Sequence, residues 1–288
     1  MIIDLKDKSG LGIKLDIDKP ELTFDKDIKF SLPTIRTINQ MREVLLDKNI
    51  QEPEELYYMY RGIHRSDDES ILDKHSLRYD VTVIKPFCLG KEFMKTAGHY
   101  HPEGFPELYE VISGRCFCLL QRHNLRDYRI IEEIIFIEAA AGQKIIIPPG
   151  FGHILINPGP DYLVTANWVS CCFESSYELY KKAKGAAYFV IASSDDSEVS
   201  SLDLGVQPQG FKENLTVITS KLRIGVKFIK NNNFLEMANI CFAQPVKEIR
   251  KFGLTEDSPI YNLINENNHF LDFLNHPLSY EYGDVFVR

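Results

Sequence analysis

Gly98-His99-Tyr100-His101-Pro102-Glu103-Gly104-Phe105-Pro106-Glu107, closing on Gly114, is the stretch from which the fold of this chain can be read. It has a partner further along: Gly142, then Pro148-Pro149-Gly150, then His153 and Asn157. A strand alternates faces at every residue, so His99 and His101 share one face. Pro102, Gly104 and Pro106 break the strand and let the chain return as its neighbour, where Glu107 and Tyr109 share a face opposite Leu108 and Glu110. The Pro148-Pro149-Gly150 turn brings a distant strand carrying His153 to the same cavity. Three neutral imidazoles (His99, His101, His153) and the Glu107 carboxylate are a donor set for a divalent first-row metal such as Fe²⁺, Mn²⁺, Ni²⁺ or Zn²⁺, and ligand type alone does not choose among them. In an octahedral shell such a set leaves room for two neighbouring oxygens of a substrate.

The surroundings of these motifs read as a barrel. From residue 78 to about 169, β-branched and aromatic runs alternate with turn signals: 79–87, 108–113, 115–121, 128–138, 144–147, 153–156 and 162–168. Many short strands at this spacing mean a sandwich or barrel, with corners at Gly114, Gly142, Pro149-Gly150 and Pro158-Gly159-Pro160. Residues 1–36 read as an arm of extended pieces. A helix is expected from Thr37, where Ile38, Met41, Val44 and Leu45 recur at helical spacing. Residues 64–75, with Ser66-Asp67-Asp68-Glu69-Ser70, read as an exposed loop. After the barrel, 175–184 looks helical and is ended by Gly185, and 187–192 returns as a strand. Residues 193–204 are the linker candidate, followed by strand-like pieces at 215–218 and 224–229. A final helix is expected from Pro259, capped by Ser258. Its stripe would be Ile260, Leu263, Ile264, Leu271 and Leu274, and Pro277 would stop it. The expected division is an N-terminal arm and helix over 1–55, the metal-bearing barrel over 56–192, and a linker with an α+β C-terminal extension over 193–288.

Bulk properties limit the function. The 288 residues can bury a real core, and 44% hydrophobic with 26% charged residues is an ordinary globular composition. A net charge of −8 argues against a general nucleic-acid binder, which needs a basic face, but leaves an anionic small substrate open. None of the six cysteines sits in a CxxC pair; Cys116 and Cys118 share a strand face and read as reduced sheet cysteines. The start of the chain lacks a signal peptide's apolar core, and no apolar run reaches the roughly 18 residues of a membrane span. A cytoplasmic protein without membrane or nucleic-acid partners is therefore expected.

The two histidine stretches resemble the paired motifs of the cupin superfamily. Gly142, Pro148-Pro149-Gly150, His153 and Asn157 meet the second motif in full. His99, His101, Glu107 and Gly114 meet the first, except that its leading glycine is replaced by Phe93, with Gly90 nearby. The resemblance implies a double-stranded β-helix, or jelly-roll, in a mainly β protein. A narrower resemblance, over roughly 35–190, is to cupin-type glucose-6-phosphate isomerase, also called phosphoglucose isomerase. It rests on Thr82, Gly90-Lys91-Glu92-Phe93, Thr96-Ala97-Gly98-His99-Tyr100-His101, Pro106-Glu107-Leu108-Tyr109-Glu110, Ala166-Asn167-Trp168-Val169-Ser170 and Tyr177 through Tyr188.

This resemblance implies a metal-dependent aldose–ketose isomerase that interconverts glucose 6-phosphate and fructose 6-phosphate in glycolysis and gluconeogenesis. The metal would be held by His99, His101, Glu107 and His153. The sugar phosphate would be gripped at Tyr57, Thr82, Thr96, Gly98 and Tyr177, and the protein would be a homodimer. Some members carry a His ahead of the last tyrosine, where this chain has Ser175-Ser176. Glu107 is the first choice for a proton-shuttling base, although a metal-bound carboxylate is a poor one, and Tyr109 would orient the substrate. A hydride shift between the two carbons would need no base. Lys85, Lys91, Lys95 and Arg115 are further cations in the region. Two other readings use the same ligands: an iron-dependent cupin oxygenase, and a non-catalytic sugar-binding cupin. An oxygenase would not need a phosphate set around Thr82, Thr96 and Tyr177.

Overall fold

The computed structural model describes residues 1–193, 216–218 and 225–288. The chain opens with an antiparallel meander, β1 (Ile2–Asp4), β2 (Ile13–Asp16) and β3 (Glu21–Phe24). Strand β4 (Thr34–Thr37) runs into α1 (Ile38–Met41), where the Gln40 side chain accepts the Thr37 N–H at 3.1 Å. This is the helix expected at Thr37, reduced to one turn that tightens into a 3₁₀ turn at Arg42–Val44. Strand β5 (Glu55–Arg61) follows, then α2 (Glu69–His75).

Helix α2 corrects the loop expected over 64–75. The acidic run Asp67, Asp68 and Glu69 lies at the positive end of the helix dipole, and Lys74 and His75 lie in its last turn. What reads as a polar loop is a short exposed helix with only Leu72 buried, ended by Ser76 in the left-handed region at φ 51°.

The barrel consists of β6 (Leu77–Ile84), β7 (Glu92–Lys95), β8 (Glu107–Ser113), β9 (Arg115–His123), β10 (Ile130–Ala140), β11 (Lys144–Ile147), β12 (Gly152–Asn157) and β13 (Leu163–Ser170). One sheet runs β11-β8-β13-β6 and continues into β5 and β4; the other runs β7-β12-β9-β10. Successive strands mostly cross between the sheets, and all eight pair antiparallel with their neighbours. That order is a jelly-roll, as the motifs led one to expect.

Alternation decides what faces inward. On β8, Glu107, Tyr109 and Val111 face the interior, and Leu108, Glu110 and Ile112 face out. The outer face of the first sheet is dry because the meander (Leu11, Ile13, Leu15, Leu22) and the C-terminal segment (Ile260, Tyr261, Phe273) cover it. Trp168 is wholly buried there; its Nε1 donates to the Ile260 carbonyl at 2.8 Å and its ring lies 4.9 Å from Tyr79. Each apolar side chain buried in this way contributes about 1.5–3 kcal/mol, so the arm and the tail act as parts of the core.

The second sheet is covered differently. Helix α3 (Glu178–Lys182), strand β14 (Tyr188–Ser193) and strand β16 (Gly225–Lys230) follow the barrel, with β15 (Thr216–Ile218) paired to β16. Lys184 and Gly185, both at positive φ, end α3, which is shorter than the expected 175–184. Strand β17 (Ile240–Pro245) adds in parallel to the edge of β10 and caps it. The linker expected at 193–204 lies outside the described residues apart from Ser193.

The final helix does not form. In its place stand 3₁₀ turns at Ile260–Leu263 and Asp272–Leu274, the first preceded by Pro259 with no side-chain cap from Ser258. The asparagines are the reason. Asn265 Oδ1 accepts the N–H groups of Asn267 and Asn268 at 3.0 and 3.1 Å, a local turn that competes with helix, and Asn268 takes φ 45°. The described C-terminal residues are thus short strands and 3₁₀ turns rather than α+β. Among the described residues no helix is long and apolar enough to cross a membrane.

Candidate metal centre

The stretch 96–101 continues β7 along β12. Thr96 N donates to the Leu155 carbonyl at 2.8 Å, and His99 and His153 exchange backbone hydrogen bonds of 3.3 and 3.1 Å. This pairing places the two imidazoles side by side, with ring centres 4.4 Å apart. Tyr100, between the histidines, points the other way, and Gln121 Nε2 donates to its hydroxyl at 3.0 Å. Gly98 sits at φ +79°, and a Cβ there would fall 2.5 Å from Ile154 Cγ2 and 2.6 Å from the Tyr180 ring. Only glycine allows this turn.

His101 Nδ1 donates to the Phe105 carbonyl at 2.9 Å. A carbonyl can only accept, so Nδ1 carries a proton and Nε2 is the ring nitrogen turned toward the other ligands. Glu107 opens β8. Asn167 Nδ2 donates to its Oε1 at 2.7 Å, which aims Oε2 at the histidines. Oε2 lies 3.2 Å from His153 Nε2, 3.3 Å from His101 Nε2 and 3.9 Å from His99 Nε2, and the His99 and His101 Nε2 atoms are 3.1 Å apart.

These distances fit an ion. Adjacent ligand atoms about 2.1 Å from an octahedral metal lie about 3 Å apart. All four ligand atoms fall within 4.8 Å of one another, and Glu107 Oε2 is buried without an aligned hydrogen bond. A buried oxygen left so is costly unless something else takes its lone pairs. His101, Glu107 and His153 are almost fully buried, and His99 is the most open of the four.

The electrostatics agree. Burial, reinforced by the neighbouring imidazoles, holds His99 well below the ordinary histidine range against the pull of Glu107. Burial likewise lowers His153, with Glu107 opposing. Burial pushes the Glu107 carboxyl up, but the contacts with His101 and His153 outweigh it and leave the group well below its usual range. At neutral pH His99 and His153 are therefore neutral and Glu107 is a carboxylate, the protonation states a metal requires. The Tyr109 hydroxyl lies 3.3 Å from His153 Nε2, and burial beside Glu107 keeps it protonated.

The other expected residues divide. Tyr177, at the start of α3, has its ring 5.5 Å from His99. Tyr57 faces the interior on β5, with its hydroxyl accepting the Ala97 N–H at 3.2 Å. Thr82 lies on β6 between Met59 and Thr165. Thr96 Oγ1 accepts the Leu155 N–H at 3.0 Å, so both it and Gly98 have work in the β7–β12 junction itself. Asn157 is a staple: it donates to the carbonyls of Ile84, Lys85 and Asp161 and accepts from Gly159.

Of the further cations, Lys95 is buried in an ion pair with Glu92, Arg115 pairs with Glu138, and Lys85 lies 3.9 Å from Glu55. Sequence reasoning missed four neighbours of the site: Asn167, Thr165, Phe173 and Arg36. Phe173 stacks on Phe105, and its ring centre lies 4.4 Å from that of His101. Arg36 lies over the rings of Tyr57 and Tyr177. Alternation opposite a buried Trp168 would have pointed to Asn167; Arg36 carries no such signal until the pairing of β4 with β5 is known.

A family model described as glucose-6-phosphate isomerase (GPI) matches residues 36–203, more than half of the chain. The chain belongs to the glucose-6-phosphate isomerase family. Within that family, the glucose-6-phosphate isomerase of Thermococcus litoralis is 27% identical over 161 residues, covering 54% of this chain and 75% of that one. The Thermococcus kodakarensis enzyme is 23% identical over 202 residues, covering 68% and 95%. Among solved structures, an oxalate decarboxylase of Bacillus subtilis is similar with a TM-score of 0.30 and 12% identity, over 43% of this chain and 26% of that one. A hazelnut vicilin is similar with a TM-score of 0.34 and 13% identity, over 52% and 36%. The jelly-roll assignment rests on the strand order itself. All four cluster residues, with Tyr57, Thr82, Thr96, Gly98, Asn167 and Tyr177, fall inside the span that matches the isomerase family.

Asn167 offers a direct check on the cluster. Asn167→Ala removes the bond that aims Glu107, and a divalent ion should bind about 10–100-fold more weakly, the usual cost of losing a partner that orients a metal ligand. Calorimetric titration of the metal-free protein measures this; unchanged affinity would show that Glu107 is oriented by other means.

Proposed function

We propose that this protein is a metal-dependent aldose–ketose isomerase acting on glucose 6-phosphate and fructose 6-phosphate. The observation that carries the reading is the convergence of His99, His101, Glu107 and His153 in a chain of this family. Fe²⁺ is the first candidate metal, ahead of Mn²⁺, Ni²⁺ and Zn²⁺; the donor set suits all of them. When bound, the ion would polarise the carbonyl and hydroxyl groups carried by the two adjacent carbons between which hydrogen moves.

The protein's own groups do the rest. His99, the open edge of the cluster, and Tyr177 beside it form the side from which substrate approaches. Phe105 and Phe173 keep water from His101. Tyr109, held protonated, donates a hydrogen bond to a sugar oxygen and orients it. Thr82, Tyr57, Tyr177 and the Thr96–Gly98 turn make up the phosphate end. Glu107 remains an anion among imidazoles, with Asn167 holding its other oxygen, and so is a weak base in this setting. This favours direct hydride passage between the two carbons over a proton shuttle through Glu107.

The test is isomerase activity of the purified protein with fructose 6-phosphate, before and after a chelator and after metal is restored. No turnover in the metal-restored protein would defeat the proposal, and oxygen uptake on a candidate substrate would favour the oxygenase. In D₂O, hydride passage predicts product with almost no solvent deuterium at the receiving carbon; substantial incorporation would return the base role to Glu107. The same reading places the protein in the cytoplasm as a homodimer, with 56–192 as the catalytic barrel, and light scattering of the purified protein gives the mass.

A further inference from the structure

Arg36 pairs in register with Tyr57 across β4 and β5. Its guanidinium carbon stands 6.0 Å from the centre of the Tyr57 ring and 5.2 Å from that of Tyr177. Its Nε is buried and has no hydrogen-bond partner, and among the described residues no carboxylate pairs with it. Of the other cations in the region, Arg78 pairs with Asp80, Lys95 with Glu92, and Lys85 lies near Glu55, while Arg61, which also depresses His99, is exposed to solvent and among the described residues reaches only Met59 Sδ at 3.8 Å. A half-buried guanidinium left without an anion is expensive, and two tyrosine faces compensate it only in part. Such a group is a fork held ready for a bidentate oxyanion.

Its position relative to the reacting end is defined. The Tyr177 ring that carries it lies 5.5 Å from the His99 ring. Two ring contacts therefore lead from the cation to the metal ligands, a reach that an open-chain hexose phosphate covers. Tyr57 adds a donor: its oxygen already accepts the Ala97 N–H, so its own proton remains to be given.

We infer that Arg36, shelved between Tyr57 and Tyr177, is the phosphate anchor of the site and sets its preference for phosphorylated over plain sugars. This rests on the isomerase reading for the substrate but not for the anion. Arg36→Met keeps the length of the side chain and removes the fork; Arg36→Lys keeps the charge alone.

In the Met variant KM for fructose 6-phosphate should rise about 50-fold with kcat within about threefold, as for loss of an interaction made equally in ground and transition states. The Lys variant should fall between. Inorganic phosphate, titrated calorimetrically into the metal-loaded protein, should bind the wild type and not the Met variant. Melting temperature and metal content should match the wild type, which a merely structural arginine would not leave unchanged. Equal phosphate binding by wild type and Met variant overturns the inference. If the wild type binds phosphate through Arg36 but does not isomerise, the anchor stands and the isomerase reading fails. Should the variants fold poorly, a crystal structure of the wild type soaked with inorganic phosphate decides: phosphate beside Arg36 supports the anchor, and phosphate elsewhere in the barrel overturns it.

Discussion

His153→Ala should leave a folded protein that retains almost no divalent metal and has lost at least about a thousandfold in isomerase activity. Replacing a group that merely orients a ligand costs about 10–100-fold in metal affinity or activity, and a direct ligand should exceed that. His153 is the best of the four to remove because it joins two parts of the site. Its Nε2 faces Glu107 Oε2 at 3.2 Å and lies 3.3 Å from the Tyr109 hydroxyl. Without it the carboxylate loses one of the two contacts that hold it ionised. Metal content by mass spectrometry, the assay, and near-UV circular dichroism should be read together. Retained metal and activity in a folded variant would mean that the four side chains are only a hydrogen-bonded core. His153→Gln, closer in volume to the imidazole, separates lost ligation from a packing defect: it should stay folded and be equally empty of metal.

The largest expected change in stability lies elsewhere, at Glu92 and Lys95. The pair is sealed, at 1% and 2% exposure, with Nζ 2.5 Å from Oε1. Lys95 also donates to the Val44 carbonyl at 2.9 Å, and Glu92 accepts the Leu46 N–H at 3.1 Å. The two side chains thus tie the segment after α1 to β7, the strand that leads into the histidine stretch. Removing one partner strands the other charge in the interior, at about 3–5 kcal/mol. Against a typical stability of about 5–15 kcal/mol, that is a large fraction of the whole. Glu92→Leu and Lys95→Met should each lower the urea midpoint sharply, while the double variant should recover most of the loss, because no lone charge remains. If the double variant is as unstable as the sum of the singles, the pair stabilises through its backbone contacts instead.

How much was legible beforehand follows from what each signal encodes. The periodicity of two along a strand is local, so the facing of Glu107 with Tyr109 and the burial of Cys116 with Cys118 could be read directly. The turns are local too: Gly98, Gly142 and Gly150 all take positive φ, as punctuation by glycine implies. The helical misreadings share a cause. At 64–75 the polarity that suggests a loop marks an acidic helix start. At 259–276 the apolar spacing suggests a helix, but asparagine side chains divert the backbone into turns.

The sequence alone determined a sandwich or barrel of short strands, the turns and the identity of the four convergent side chains, because each follows from alternation and spacing within a few residues; the jelly-roll came from the resemblance of the two motifs to cupins. Only the tertiary structure decided what surrounds them. Asn167 aims Glu107, Phe173 shields His101, Arg36 rests on Tyr57 and Tyr177, and the chain's two ends cover the outer face of the first sheet. These are meetings between segments whose separation along the chain carries no trace in local pattern. They depend on sheet register and on which apolar face must be hidden from water, and both are settled only when the whole chain packs.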